Sequence, residues 1–423
     1  MLQANQVATG RNGVFSDSRS VFALAVLFYA LIWGVWIVFH GYGYDNGDAY
    51  RLLNTWQVLL SEKRYVPSRS VGYIVAEISH GFAASLGGPL LSNLVTVSFS
   101  FVGFFALAGI GRYFEIRAFL PIAAAFFANG AAVVDSSTTT DFMIALGLFS
   151  AGFYLLTVDE DVGGIVLMGA SAGARMSYIF VALITVFFVL RFRERVLRKD
   201  VHVRTYLLYL LSTIFVAGLL YLPVWVQDGL QFDWLNSVRP TEQGFLGLAA
   251  RWAYKTVMFV SVFGVLGAVA GAVFDRKYKS EPIVIGDEAA KSRRTWFFYY
   301  CTAIVVFHIL LYLYIPNKAD YLLPALLFGA FILEAFGFRF VLIGLTIGEL
   351  ISGLVAIAPL KISYEDLDPC VGILANGATF SPHFSAGPLI SNEMDRPENT
   401  KCGLMLLKYR PLNINGPLPS SNR

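Results

Sequence analysis

The sequence is short of charge. Asp, Glu, Lys and Arg together make up 14% of its 423 residues, against roughly 25% in a soluble domain. Too little polar surface is available to coat a water-facing globule. Cysteine is scarce as well, and three in the whole chain exclude a disulfide scaffold. The net charge of +3 is no nucleic-acid signature, because the basic residues cluster between apolar runs where topology accounts for them. No nucleic-acid partner is expected. Neither an internal repeat of fixed period nor a low-complexity tract is present. The first apolar run, residues 21–39, is too long and too poor in a small-residue cleavage site for a removed leader, so it reads as a retained first span.

What is abundant is apolar. Hydrophobic residues reach 56% and aromatic residues 15%, with 36 Phe and 21 Tyr, and the mean hydropathy is +0.61. This suits membrane spans with interfacial aromatic belts. Apolar runs cover residues 21–39, 90–110, 118–134, 142–158, 165–174, 178–190, 206–224, 252–274, 296–315, 321–338 and 341–360. A span takes about 20 apolar residues, so the expectation is an all-α, polytopic bundle of about eleven spans. The short pair around Arg175 counts as two, because Gly163, Gly164, Gly169 and Gly173 soften the first and Arg175 interrupts the run.

Lys and Arg near span ends set the orientation. One set of loops holds Arg112, Arg117, Arg191, Arg193, Arg195, Arg198, Lys199 and Arg204, then Arg276, Lys277, Lys279, Lys291, Arg293 and Arg294. The alternate loops are longer yet poorer in such residues. The first set is therefore cytoplasmic, the amino terminus inside and the carboxy-terminal tail outside. Asp159, Glu160 and Asp161 then fall on the cytoplasmic side without a basic partner. Three regions follow: a cytoplasmic segment 1–20, a bundle 21–360 with its first outer loop at 40–89, and an outer tail 361–423. Cys370 and Cys402 lie in that tail, on the oxidising side, either as a disulfide or as two separate thiols. Cys301 reads as packing within a span.

The first outer loop carries the chemistry. Leu52, Trp56, Leu59 and Leu60 recur at helical spacing, which predicts an amphipathic helix in the interface plane with its apolar side in the headgroup region. Asp45 and Asp48 sit at its start, as helix caps, as pre-oriented bases, or as both. The segment Tyr65-Val-Pro67-Ser68-Arg69-Ser-Val-Gly72-Tyr73 follows. Further on come Asp135-Ser-Ser-Thr-Thr-Thr-Asp141, Gly173-Ala-Arg175-Met-Ser-Tyr178 and Ile315-Pro-Asn-Lys318-Ala-Asp-Tyr321-Leu-Leu-Pro324.

In that order, and on the expected outer side, these segments resemble the outer loops of GT-C-fold glycosyltransferases, among them protein O-mannosyltransferases and aminoarabinose transferases. The resemblance covers about the first 340 residues. It departs from the family in having Asp45-Asn-Gly-Asp48 rather than an adjacent acidic pair, and the tail matches no accessory domain. It implies inverting transfer of a sugar from a polyprenyl-phosphate carrier to a lipid, glycan or protein acceptor on the outer face. The setting implied is a multi-pass protein of a bacterial inner or plasma membrane.

Such transfer needs a carboxylate to take the acceptor proton. Asp48 leads, with Asp45 second and Asp141 auxiliary. Positive charge must hold the leaving phosphate, for which Arg175, Lys318 and Arg69 are the candidates. Tyr65, Tyr73 and Tyr321 are expected to line the substrate site. No cofactor follows from the residues alone; a divalent cation, Mg or Mn, if bound, would use Asp48 and Asp141. Each residue has a plainer reading: Arg175 snorkelling to the interface, Lys318 at a helix carboxyl end, Asp141 as a cap. The rival function is a proton-coupled secondary transporter using Glu334, Glu349 and His308, since intramembrane ionisable residues are functional candidates. Against it, the chain shows no paired halves of the kind transporters have.

Overall fold

A computed structural model describes residues 12–42, 47–68, 72–116, 118–228, 245–278, 288–315, 319–362 and 378–391. The helices are α1 (Asn12–Val38), α2 (Gly47–Glu62), α3 (Ile74–Tyr113), α4 (Phe119–Ala128), α5 (Gly130–Ser137), α6 (Phe142–Thr157), α7 (Asp161–Ala174) and α8 (Tyr178–Arg195). They continue as α9 (Val203–Asp228), α10 (Phe245–Val260), α11 (Val262–Tyr278), α12 (Glu288–Tyr314), a 3-10 turn (Ala319–Leu322), α13 (Leu323–Ala335) and α14 (Arg339–Leu354). A hairpin of β1 (Val355–Ile362) and β2 (Ala378–Ala386), then α15 (Pro388–Ser391), closes the described chain.

The protein is a helical integral membrane protein. Among the described residues, Ser18–Val38, Ile74–Tyr113, Val203–Val226 and Glu288–Tyr314 are long and apolar enough to cross a bilayer alone. Two bent pairs raise the number to six: α4 with α5 at 89°, and Trp252–Val260 with α11 at 63°. All eleven expected apolar runs fall on these elements, the remainder on shorter helices such as α6 and α7. Phe28, Phe105, Leu208, Phe215 and Val269 point outward, at half exposure or more. An apolar surface of that extent suits lipid rather than water.

Several boundaries differ from the hydropathy reading. The helix expected at residue 90 begins at Ile74. It is interrupted by Gly87 and Gly88, the latter at φ +62°, just before Pro89. The segment between the first two apolar runs thus contains a folded helical half rather than open chain. The runs at 118–134 and 252–274 are each broken, at Asn129 and Ser261. The last run leaves the helix at Leu354 and pairs as a strand, with a register irregularity between Ala358 and Leu360. Pro359 stands there, a residue that can neither continue a helix nor donate to a ladder.

α2 is amphipathic as expected, but its buried face differs. Ala49, Leu52, Leu53 and Val58 are covered, and the helix packs on α3, where Trp56 Nε1 donates to Ser85 Oγ at 2.7 Å. Elsewhere small residues bring helices together, as expected where lipid supplies no hydrophobic drive. A Cβ on Gly267 would lie 2.0 Å from the Gly344 carbonyl oxygen, and one on Gly147 2.4 Å from that of Phe99. These set the α11–α14 and α3–α6 crossings.

At the end of the bundle opposite Asp141, the acidic turn between α6 and α7 does have partners. Arg193 contacts Asp159 at 3.1 Å and Asp161 at 2.7 Å, and Lys199 Nζ lies 2.7 Å from Asp159. Those cations arrive 32 and 40 positions along the chain, which is why local reading left the acids alone. The Lys199 ammonium and the Arg193 guanidinium hold the Asp159 carboxyl below its ordinary range, against the opposing effect of partial burial.

Candidate functional site

The site is built where α7 stops. Arg175 follows its last residue in extended backbone (φ −156°, ψ 115°). That turns the side chain into the bundle, where it is 1% exposed. Its guanidinium pairs with the Asp141 carboxylate. The guanidinium carbon lies 3.4 Å from the centroid of the Phe142 ring, 4.6 Å from that of Tyr321 and 5.8 Å from that of Tyr73. A cation over aromatic faces at such distances is attracted by the ring quadrupoles. A buried, paired and stacked Arg does not snorkel.

Asp141 stands at the amino end of α6, but its side chain makes no capping bond. The carboxylate is spent on Arg175 instead, which settles its role against the simple cap. The segment before it is stapled from several directions. Thr139 N donates to the Tyr42 carbonyl (3.0 Å), and Thr139 Oγ1 donates to Asn93 Oδ1 (2.8 Å). Asn93 Nδ2 in turn holds the carbonyls of Val38 (3.1 Å) and Gly41 (2.7 Å). His80 Nε2 donates to the Thr140 carbonyl at 3.0 Å. The run of Ser and Thr in 136–140 is therefore a buried hydrogen-bonded plug. Burial pushes the Tyr42 phenol up to about 12, so it stays neutral across the physiological range.

Tyr65 is not turned to the Arg175 cage. It donates to Glu77, which is fully buried and also accepts from Ser68 N (2.8 Å) and Ser68 Oγ (2.5 Å). The Tyr65-x-Pro-Ser stretch is thus clasped to α3. Gly72, at φ +75°, makes the turn back to Tyr73. A Cβ there would meet Tyr65 Oη at 2.8 Å, in a backbone region that favours glycine.

His308, at 2% exposure, fixes the other side of the cage by facing the Tyr321 carbonyl through Nδ1 at 3.2 Å. A ring nitrogen facing a carbonyl must be the donor. Asp135, in the last turn of α5, is 8% exposed, and its Oδ2 has no hydrogen-bond partner among the described residues. The charges that reach it are those of Asp320, Asp141 and Arg175.

Of the candidates, Tyr73, Asp141, Arg175 and Tyr321 are brought together, and Tyr65 is engaged nearby on α3. Asp48 falls in the first turn of α2 with its side chain outside the described residues; Asp45, Arg69, Lys318, Cys370 and Cys402 lie wholly outside them. Cys301 is buried in α12. Glu77, His80, Asp135 and Asp320 were not singled out. Their signal, polar groups at the ends of apolar runs, is too common to select them.

No family model matches the chain, and no curated protein matches it. Among solved structures, the crystal structure of ArnT from Cupriavidus metallidurans bound to undecaprenyl phosphate is similar. The identity is 16% and the TM-score 0.47, over 74% of this chain and 60% of that one. This chain therefore spans less than two thirds of that protein's length.

Of the two carboxylates expected to hold a divalent cation, the Asp48 side chain lies outside the described residues. Asp141 is engaged by Arg175, and no group of three or more His, Cys, Asp or Glu side chains is placed to hold a metal among the described residues. What the site does offer is a guanidinium whose five N–H donors exceed what one carboxylate can take. It sits among aromatic walls, with buried carboxylates alongside.

Proposed function

We propose that the protein is a membrane-embedded glycosyltransferase of GT-C type that takes a sugar from a polyprenyl-phosphate carrier. One observation carries this reading. Four separate segments, each picked out by the family resemblance, contribute Tyr73, Asp141, Arg175 and Tyr321 to one cage. Nothing local in the sequence requires residues so far apart to meet.

In this reading Arg175 binds the donor phosphate and stabilises it as it leaves. Asp141 holds the guanidinium flat against Phe142, so that little reorganisation is needed when the phosphate arrives. Lys318, three positions before Tyr321, and Arg69 add positive charge. Asp48 takes the proton from the acceptor hydroxyl, with Asp45 as the alternative. Asp135 is a third carboxylate, already buried beside the cage. Displacement is direct, with inversion. The bundle 21–360 is the catalytic unit, and the tail 361–423 lies on the acceptor side. The amino terminus is cytoplasmic and the membrane a bacterial inner or plasma membrane.

The test is transfer by the purified protein, reconstituted with radiolabelled polyprenyl-phosphate sugars and a membrane extract as acceptor source. Wild type is expected to transfer; Arg175→Lys and Asp48→Asn are expected to lose most of it. Undiminished transfer by Asp48→Asn removes Asp48 as base and passes the role to Asp45 or Asp135. No transfer from any donor refutes the assignment and favours the transporter reading.

A further inference from the structure

The two interrupted helices meet at a carboxyl group that plays no part in the transfer site. Asn129 stands at the α4–α5 break. Its Oδ1 accepts from the N–H groups of Ala131 (3.0 Å) and Ala132 (3.2 Å). Its Nδ2 donates to the Phe259 carbonyl (2.8 Å), two residues before Ser261 at the α10–α11 break, and to Glu349 Oε2 (2.9 Å). At that second break Ser261 takes a left-handed conformation, φ +60°, and its Oγ accepts from Gly264 N at 2.7 Å. Glu349, on α14, is 1% exposed, and its Oε1 has no hydrogen-bond partner among the described residues. A Cβ on Gly264 would lie 2.3 Å from that oxygen and 3.1 Å from Ser261 Oγ. Gly264 is thus the notch that lets the carboxyl reach the break.

Charged residues on the neighbouring elements are occupied elsewhere. Asp275 on α11 accepts from the N–H groups of Phe340 and Val341. Glu334 on α13 pairs with Arg19. Asp135 on α5 faces the Arg175 cage. α4 has no ionisable side chain. Among the described residues the hydrogen-bond partner of Glu349 is Asn129. Burying a carboxylate with one amide donor and no cation is costly, whereas a proton removes the charge and needs no space. The close approach of Gly264 leaves little room for a larger ion.

We propose that Glu349 is a proton-binding site at the junction of two interrupted membrane helices. It is a neutral acid while the breaks at Asn129 and Ser261 are packed together, and it exchanges its proton when they separate. Such interruptions are tolerated at membrane depth only where neighbours satisfy the freed backbone groups. Here the protonated carboxyl and Asn129 form that support. The site is independent of sugar transfer, and its occupant is a proton rather than a substrate.

Infrared spectroscopy of the full chain in lipid bilayers, across pH, tests this directly. The carboxylic-acid carbonyl band of wild type at neutral pH is expected to shrink in Glu349→Gln and to shift, rather than vanish, in Glu349→Asp. Asn129→Ala removes a donor that favours the ionised form. The titration of the band is therefore expected to move to higher pH. A band unchanged by both Glu349 variants overturns the proposal. So does a band that sodium ions displace at constant pH, since the occupant would then be a metal cation. If Glu349→Gln does not fold, Glu349→Asp decides the matter: a shifted band supports the proposal and an unshifted one overturns it, since buried Glu77 and Asp135 also contribute to the wild-type band.

Discussion

Removing the Asp141 carboxylate is the sharpest perturbation the site allows. Asp141 and Arg175 are each about 2% exposed at the side chain, so solvent cannot replace a lost partner. Breaking a buried ion pair from one side costs about 3–5 kcal/mol. In Asp141→Asn the rings of Phe142 and Tyr321, at 3.4 and 4.6 Å from the guanidinium carbon, retain about 1 kcal/mol of cation–π attraction, and the amide oxygen still accepts. The expected loss is therefore at the lower end, about 3 kcal/mol. Arg175→Met strands the carboxylate instead, at a similar cost, and the double variant removes both charges. The double variant should then fall short of the summed single losses by about 2 kcal/mol, since contacting residues couple. The measurement is unfolding in mixed micelles with rising SDS, followed by tryptophan fluorescence, for wild type, both singles and the double. Single effects that add to within about 0.5 kcal/mol would show that the two side chains do not act as a pair, and the argument for a preset cage would fail.

Other outcomes follow from particular contacts. Tyr65→Phe removes a donor from buried Glu77 and should cost about 1–2 kcal/mol, read by thermal unfolding in detergent. Gly267→Val places a Cβ against the Gly344 carbonyl and should cost about 1–3 kcal/mol, with loss of folded yield on size exclusion. Asp159 is held below its ordinary range, first by its hydrogen bond to Lys199. Its contribution is thus present above the unfolded value of about 4 and is lost as pH falls through the lower folded value. Because Asp159 is half exposed, Lys199→Ala should lower stability by under about 1 kcal/mol near neutral pH. It should also flatten the acid limb of the thermal profile. A steeper acid limb in that variant would contradict the sign.

Much of the architecture was open to local reading. Every apolar run landed at least in part on a helix and α2 appeared where the spacing of Leu52 and Trp56 put it, but the last helix ended at Leu354, short of the expected 360. The lipid-facing helices were legible because hydropathy is a property of a single segment. Membership of the cage was partly legible too: Tyr73, Asp141, Arg175 and Tyr321 all stand in segments that the resemblance picks out. The roles were less so. Asp141 could have capped α6; that it binds Arg175 instead depends on a partner 34 positions away. Tyr65 looked like a ligand-facing aromatic and is a clasp on Glu77.

By itself the sequence determined that this chain lives in a membrane, roughly where its helices run and which residues carry charge near their ends. It could do so because twenty-odd consecutive apolar side chains need no other segment to make a bilayer favourable. The helix breaks at Asn129 and Ser261 needed tertiary structure. Neither position holds proline, and a broken span is stable only where distant residues satisfy its freed polar groups. At Asn129 that partner is Glu349, 220 positions along the chain. No local pattern encodes that meeting.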